Sequence, residues 1–219
     1  MLTEDRALLV EGFAEHLDPA MAARGFARRP RSVSFRRTGP AVEHRIDIAT
    51  CRHPSYHRPT PWLHLHPAFR VTFGEVEEHL QQLGLGGPGP WTVSGTYELL
   101  TPDGERSEMV FVQSEAELAA GVIHVRDLLV ERVVPFLDRL RTPGDLVTLF
   151  REGYAARPPG WHSVQAFTDH HAYAAVAVAA VLTGQPEVAS LVLERDLARR
   201  SAAEHREALK AWIAASAVA

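Results

Sequence analysis

The sequence predicts an α+β fold: an antiparallel sheet of about five strands packed by an N-terminal helix and one long helix, with a helical hairpin at the C-terminal end. Three patterns carry that expectation. Apolar and polar residues alternate through residues 62–73, the period-two signature of a half-buried strand. Through residues 118–140 apolar residues recur at steps of three and four, which winds them onto one side of a helix. From residue 157 onward the composition turns to alanine-rich helix, broken at Thr183-Gly184-Gln185-Pro186.

Thr3 stands where an N-cap is wanted, ahead of Glu4 and Asp5 and of Leu8, Leu9, Phe13 and Leu17 along one side. Asp18-Pro19 kinks or restarts that helix, and Gly25 suits a left-handed C-cap. The period then changes to two. Residues 32–37 and 42–51, joined by Thr38-Gly39-Pro40, read as a hairpin with Val42, His44, Ile46 and Ile48 on one face and Glu43, Arg45 and Asp47 on the other. Residues 62–73 put Leu63, Leu65, Phe69, Val71 and Phe73 on one face and His64, His66, Arg70 and Thr72 on the opposite one. Beyond the Gly/Pro-rich residues 83–91, residues 91–100 and 105–112 read as a second hairpin about Thr101-Pro102-Asp103-Gly104.

Ser114-Glu115-Ala116-Glu117 has the form of a capping box and opens the long helix, whose last turns Pro135 kinks. Thr142-Pro143 starts a further helix running through Phe150 and closed by Gly153. Arg157-Pro158-Pro159-Gly160 then separates a sheet domain, residues 1–156, from an alanine-rich helical appendage, residues 157–219. Within the appendage, Ser201 marks either a third helix or a point within a longer second one.

A chain of 219 residues with 46% hydrophobic and 23% charged residues has the composition of a folded globular protein. Its net charge of −4 disfavours nucleic acid or anionic lipid as a partner of the whole surface. One cysteine, Cys51, leaves no internal disulfide framework, and the start, MLTEDRALLVEG, carries acids where a secretory leader would carry basic residues; both lead to the expectation of a cytoplasmic protein. The longest apolar run, residues 172–182, is about half of the roughly 20 residues that span a bilayer, so a buried helix rather than a membrane partner is expected. Twenty-two arginines stand against one lysine, Lys210, a bias expected of a GC-rich bacterial genome and a reason to discount arginine clusters.

The histidine-rich stretch CRHPSYHRPTPWLHLH, residues 51–66, is the strongest chemical signal. His64 and His66 share one side of a strand, and two imidazoles fixed by rigid backbone need only one or two more donors to hold zinc or another divalent transition metal; His53 and His57 are the nearest in sequence. Known patterns do not complete it. A cupin-type site wants a glycine ahead of the pair and an acid behind it, where this chain has Arg58, Arg70 and Val71, and a His-x-His-x-Asp-His run breaks at Ala68 and Phe69. Without a metal, the same face carries Arg45, His64, His66 and Arg70 as a polar binding surface.

Other motifs point less sharply. Arg28, Arg29 and Arg31 belong to a six-arginine cluster, residues 24–37, that could grip phosphates with bidentate forks. Asp169-His170-His171 opens an alanine-rich helix, where polar residues serve as caps. No serine or cysteine stands in a nucleophile motif, so no catalytic residue is assigned. The alanine-rich helix offers Ala175, Val178 and Leu182 as a surface for a homodimer.

The order helix, Gly25-Phe26-Ala27-Arg28, strand with Phe35 and Arg36, strand with Ile46 and Ile48, then Phe69 and Val71, then a helix ending Val134-Pro135-Phe136-Leu137, resembles a widespread family of uncharacterised bacterial α+β domains over residues 5–152. That resemblance implies the α+β fold and a bacterial cytosolic setting, and brings no catalytic residues with it. It leads to the expectation of a non-enzymatic protein-binding or accessory protein, of a kind encoded near immunity or defence genes, with another protein as partner and no cofactor. The alternative is a metal-dependent hydrolase-like enzyme built on His64 and His66.

Overall fold

The computed structural model describes residues 3–86, 91–100, 109–155, 170–195 and 203–216. The fold is α+β. Its antiparallel sheet runs in the order β1 (Ala27–Arg28), β2 (Ser34–Thr38), β3 (Glu43–Arg52), β4 (Leu63–Thr72), β5 (Val93–Thr96), and β6 (Val110–Val112) also pairs with β4. The chain divides into two compact units. One comprises Met1–Thr38, His44–Phe69 and Gly95–Asp138; the other comprises Gly39–Glu43, Arg70–Ser94 and Arg139–Ala219.

In the first unit, alternation along β4 buries Leu63, Leu65 and Phe69, and β3 adds Ile46 and Ile48. His44 is buried with them, as its place in the apolar register requires, and its Nδ1 accepts a bond from Arg37 Nε at 3.2 Å. Two helical runs supply the rest of this core: α1 (Thr3–Gly12) with α2 (Asp18–Ala22), and α4 (Leu118–Leu128) with α5 (Val134–Asp138). Leu9, Phe13, Leu17, Val122, Val125, Leu129 and Val133 are all at most 1% exposed. The helix packs tightly on the sheet at Gly121, where a Cβ would lie 2.5 Å from Val112 Cγ2.

Both runs contain a π turn at the same offset from a proline. Phe13–Leu17 precedes Pro19, and Leu129–Val133 precedes Pro135. A helical proline gives up its own hydrogen bond and drives its ring at the carbonyl four residues back, here Glu15 and Glu131. Widening the preceding turn moves that carbonyl aside. Asp18 N–H accordingly bonds Phe13 O, and Val134 N–H bonds Leu129 O, each five residues back. The prolines therefore distort their helices without ending them. Gly25, at φ +78°, then closes the first run, with Gly25 N–H on Ala22 O and Phe26 N–H on Met21 O.

Two expectations about this region are corrected. Residues 91–100 are not one strand: β5 stops at Thr96 and a 3₁₀ turn, Tyr97–Leu100, follows. And β6 does not pair with β5 as a hairpin partner; it pairs with β4, Leu63 opposite Val112 and Leu65 opposite Val110. The turn expected at residues 101–104 lies outside the described residues. The expected capping box does not form. Glu117 reaches back to Gln113 N–H at 3.3 Å, while Ser114 makes no side-chain cap.

The second unit is mainly helical, with α3 (Gly74–Gln82), α6 (Pro143–Ala155), α7 (His170–Leu182), α8 (Pro186–Arg195) and α9 (Ala203–Ser216). The sequence reading passed over α3, whose Val76 and Leu80 are fully buried at helical spacing. A capping box opens α6: Thr142 N–H bonds Asp145 Oδ2 at 2.7 Å and Asp145 N–H bonds Thr142 Oγ1 at 3.3 Å. That helix continues through Gly153 to Ala155 rather than ending there. α7 is apolar on every side and is surrounded accordingly, by α3, α6, α8 and α9. Ala175 and Val178 are 0% exposed, so the surface expected to dimerise the protein is used within the chain itself. Gly184, at φ +71°, and Pro186 produce the expected break before α8. Ser201 lies outside the described residues, and so does the question of whether it opens α9. Among the described residues no helix is long and apolar enough to cross a membrane.

Candidate functional site

The polar face of β4 within the first unit gathers six rings. Strand alternation sends His64 and His66 to that face, with ring centroids 5.4 Å apart. β6, pairing His64 with Phe111, brings the Phe111 ring to 4.8 Å from His64. The loop between β3 and β4 folds back so that His57 lies 4.1 Å from Phe111 and Tyr56 meets His64 edge-on at 5.9 Å. Tyr97, in the 3₁₀ turn, closes on His66 at 6.0 Å.

His64 is therefore covered, only 7% exposed, where the sequence placed it on an open polar side. The face is the expected one; its cover comes from Tyr56 and Phe111. His66 keeps about a third of its side chain accessible.

Two hydrogen bonds organise the cluster. His66 Nε2–H donates to Glu98 Oε1 at 2.7 Å. Tyr56 Oη and His64 Nδ1 are 2.6 Å apart. The hydrogen bond it donates to Glu98 raises the His66 pKa above the ordinary histidine value, against the opposing effect of burial. For Glu98, burial pushes upward, but the bonds from His66 and Thr96 prevail and hold the carboxyl below its usual range. His64 shifts the other way: burial first, then the neighbouring charge of His66, lower it. Desolvation, and then Cys51 beside it, raise Tyr56. We assign the tyrosine hydroxyl as the donor to a neutral His64, which puts the ring proton on Nε2, a buried atom without a hydrogen-bond partner. Glu98 Oε2 is the second buried, unpartnered atom here. The site thus sets a pair whose charged forms are favoured, His66 with Glu98, beside an imidazole whose neutral form is favoured, His64.

Glu98 was missed because residues 91–100 were read as one strand paired in a hairpin. Its position depends on the long helix, since the 3₁₀ turn that carries it packs on the π turn Leu129–Val133. The available signal was the single carboxylate of residues 91–100, the segment read as the next strand after the one that carries the histidines.

Of the four residues expected to bind metal, the structure brings His57, His64 and His66 to one aromatic cluster. His53 sits at the end of β3 with φ +47°, its N–H on Trp62 O, and its side chain is exposed. His57 Nδ1–H is turned to Pro59 O at 3.1 Å. Among the described residues no group of three or more His, Cys, Asp or Glu side chains is arranged to hold a metal ion.

The arginines are mostly committed. Arg45 pairs with Asp47 at 2.9 Å, and Arg70, in the second unit, lies over Trp91 at 4.2 Å. Arg28, 7% exposed, grips Asp18 with two bonds of 2.7 and 2.6 Å and also bonds Ser32 O. That fork is occupied by a carboxylate of the same chain; the other two members of the expected phosphate-gripping trio, Arg29 and Arg31, are exposed. Comparison with known proteins finds no matching family model, no matching curated protein and no matching solved structure.

Proposed function

We propose that this is a non-enzymatic binding protein whose partner is another protein, held at the ring cluster on β4. The observation that carries this reading is the pair Tyr56 and Met109. They are the large apolar side chains the fold leaves most exposed among the described residues, at 62% and 51%, and both flank the cluster: Tyr56 on His64, and Met109 two residues before Phe111. Aromatic residues, methionine and arginine are the residue types enriched at interface centres. Tyr56 is held in place by its bond to His64, so little freedom is lost when a partner covers it. His66 and Arg45, both partly exposed, supply polar contacts around it. The resemblance to bacterial domains without catalytic residues supports the same reading.

The experiment is site-specific photo-crosslinking in the cells that make the protein, with the crosslinking residue at position 56 or 109 and, as a control, at the exposed Glu75. One discrete protein adduct from 56 and 109, absent from 75, is the expected result. Adducts that are the same from all three positions, or none from 56 and 109, would overturn it.

A further inference from the structure

We infer that His171 carries a proton on both ring nitrogens and forms with Glu77 a buried charge pair that latches Leu85 and Trp91 to α7, a latch that opens as rising pH removes one of those protons. The geometry is unusual. Nδ1 of His171 lies 3.2 Å from Leu85 O and Nε2 lies 3.0 Å from Trp91 O. A backbone carbonyl has no proton to give, so both nitrogens must donate. A neutral imidazole has a single N–H and would set a lone pair against one of the two oxygens. Only the imidazolium satisfies both.

The charge has its counterpart. Glu77 Oε1 is 3.4 Å from His171 Nε2, and the two side chains are 6% and 8% exposed. That carboxylate oxygen makes no hydrogen bond, because the Nε2 proton is directed at Trp91 O. An isolated buried carboxylate costs several kcal/mol, and so does an isolated buried imidazolium; side by side each offsets the other. One assignment therefore accounts for both the doubly accepting surroundings of the ring and the unbonded oxygen of Glu77.

Among the described residues, several charges on the elements packed against α7 have other places. On α6, Arg151 pairs with Glu187 and Glu152 with Arg139. Glu194 of α8 and Lys210 of α9 line a surface groove of about 440 Å³. Glu77, from α3, is a charge that faces the ring. The sequence reading gave His171 a role at a helix cap; the fold instead uses it as a two-pronged donor inside the second unit.

The test uses the full chain, labelled with ¹⁵N. Two-bond proton–nitrogen correlation of the His171 ring, identified by its absence in His171→Gln, is expected to show both nitrogens protonated at pH 7. One protonated and one bare nitrogen at that pH overturns the inference. As pH is raised, the amide nitrogens of Gly86 and Thr92, each bonded to one of the accepting carbonyl groups, should shift with the same midpoint as the ring. In Glu77→Gln that midpoint should move to lower pH; an unchanged midpoint, or Gly86 and Thr92 signals that do not follow the ring, also overturns it. Should Glu77→Gln fail to fold, the wild-type ring spectrum and titration decide the matter alone.

Discussion

His66 donates to Glu98 across 2.7 Å, and the bond joins a β4 side chain to a 3₁₀ turn 32 residues further along the chain. The bond favours the charged form of each partner, and burial favours the neutral form of the neighbouring His64, so the three groups make the stability of the first unit respond to pH.

The sign of that response follows from the two imidazoles. His66 is raised, so its contribution is complete below the unfolded histidine value of about 6.5 and is lost as pH climbs through its folded value. His64 is lowered, so its contribution is complete above about 6.5 and is lost as pH falls toward its own folded value. Their combined contribution peaks near the ordinary histidine value. Urea unfolding across pH 5 to 8.5 should show His66→Gln flattening the alkaline side and His64→Gln the acid side; a wild-type profile unaffected by either substitution contradicts this.

Glu98→Gln keeps the shape and removes the charge. His66, followed by its ring proton signal, should titrate at lower pH than in the wild type. The stability loss should be only about 1 kcal/mol, since solvent reaches 32% of the His66 and 22% of the Glu98 side chain and screens the pair.

Gly121 is required by space, not by backbone conformation. Gly121→Ala places a methyl 2.5 Å from Val112 Cγ2 and should cost roughly 1–3 kcal/mol through forced displacement of helix from strand. Trimming the obstacle in Gly121→Ala/Val112→Ala should recover part of that cost, visible as a negative coupling in a double-mutant cycle.

Arg28 is a structural clamp between the first residue of α2, Asp18, and β1. Replacing it by alanine leaves Asp18 and Ser32 O without their donor and should destabilise by roughly 1–2 kcal/mol, measured by denaturant unfolding at pH 7. Arg29→Ala, at an exposed position, should change stability by less than about 0.5 kcal/mol.

Much of the fold is written in local pattern. Alternation placed the buried face of β4, the three-to-four spacing placed all of Leu118, Val122, Val125, Leu129 and Val133 in the core, and Gly25 and Gly184 announced the helix ends through the left-handed conformation they adopt. Pairing between distant segments was not legible, because β5 and β6 each look like half of a hairpin and only tertiary packing assigns β6 to β4. The site suffered the same way. His64 and His66 were readable from strand period, whereas Glu98, Tyr56 and Phe111 reach them through a 3₁₀ turn, a loop and a non-local strand pair. His171 hid behind a motif-like triplet at a helix start.

The widened turn before Pro135 also fixes which way the end of that helix looks. The five-residue turn takes up one residue more than an α-helical turn, so everything downstream lags an unbroken helix of the same sequence by about 100°. Phe136 and Leu137 are buried with that lag included. Tightening the turn to α-helical width with every residue kept would therefore rotate both away from the core, whereas removing one residue as it tightens would leave them facing it. The turn holding Glu98 rests on this segment, so the width of these five residues also bears on how the carboxylate approaches His66.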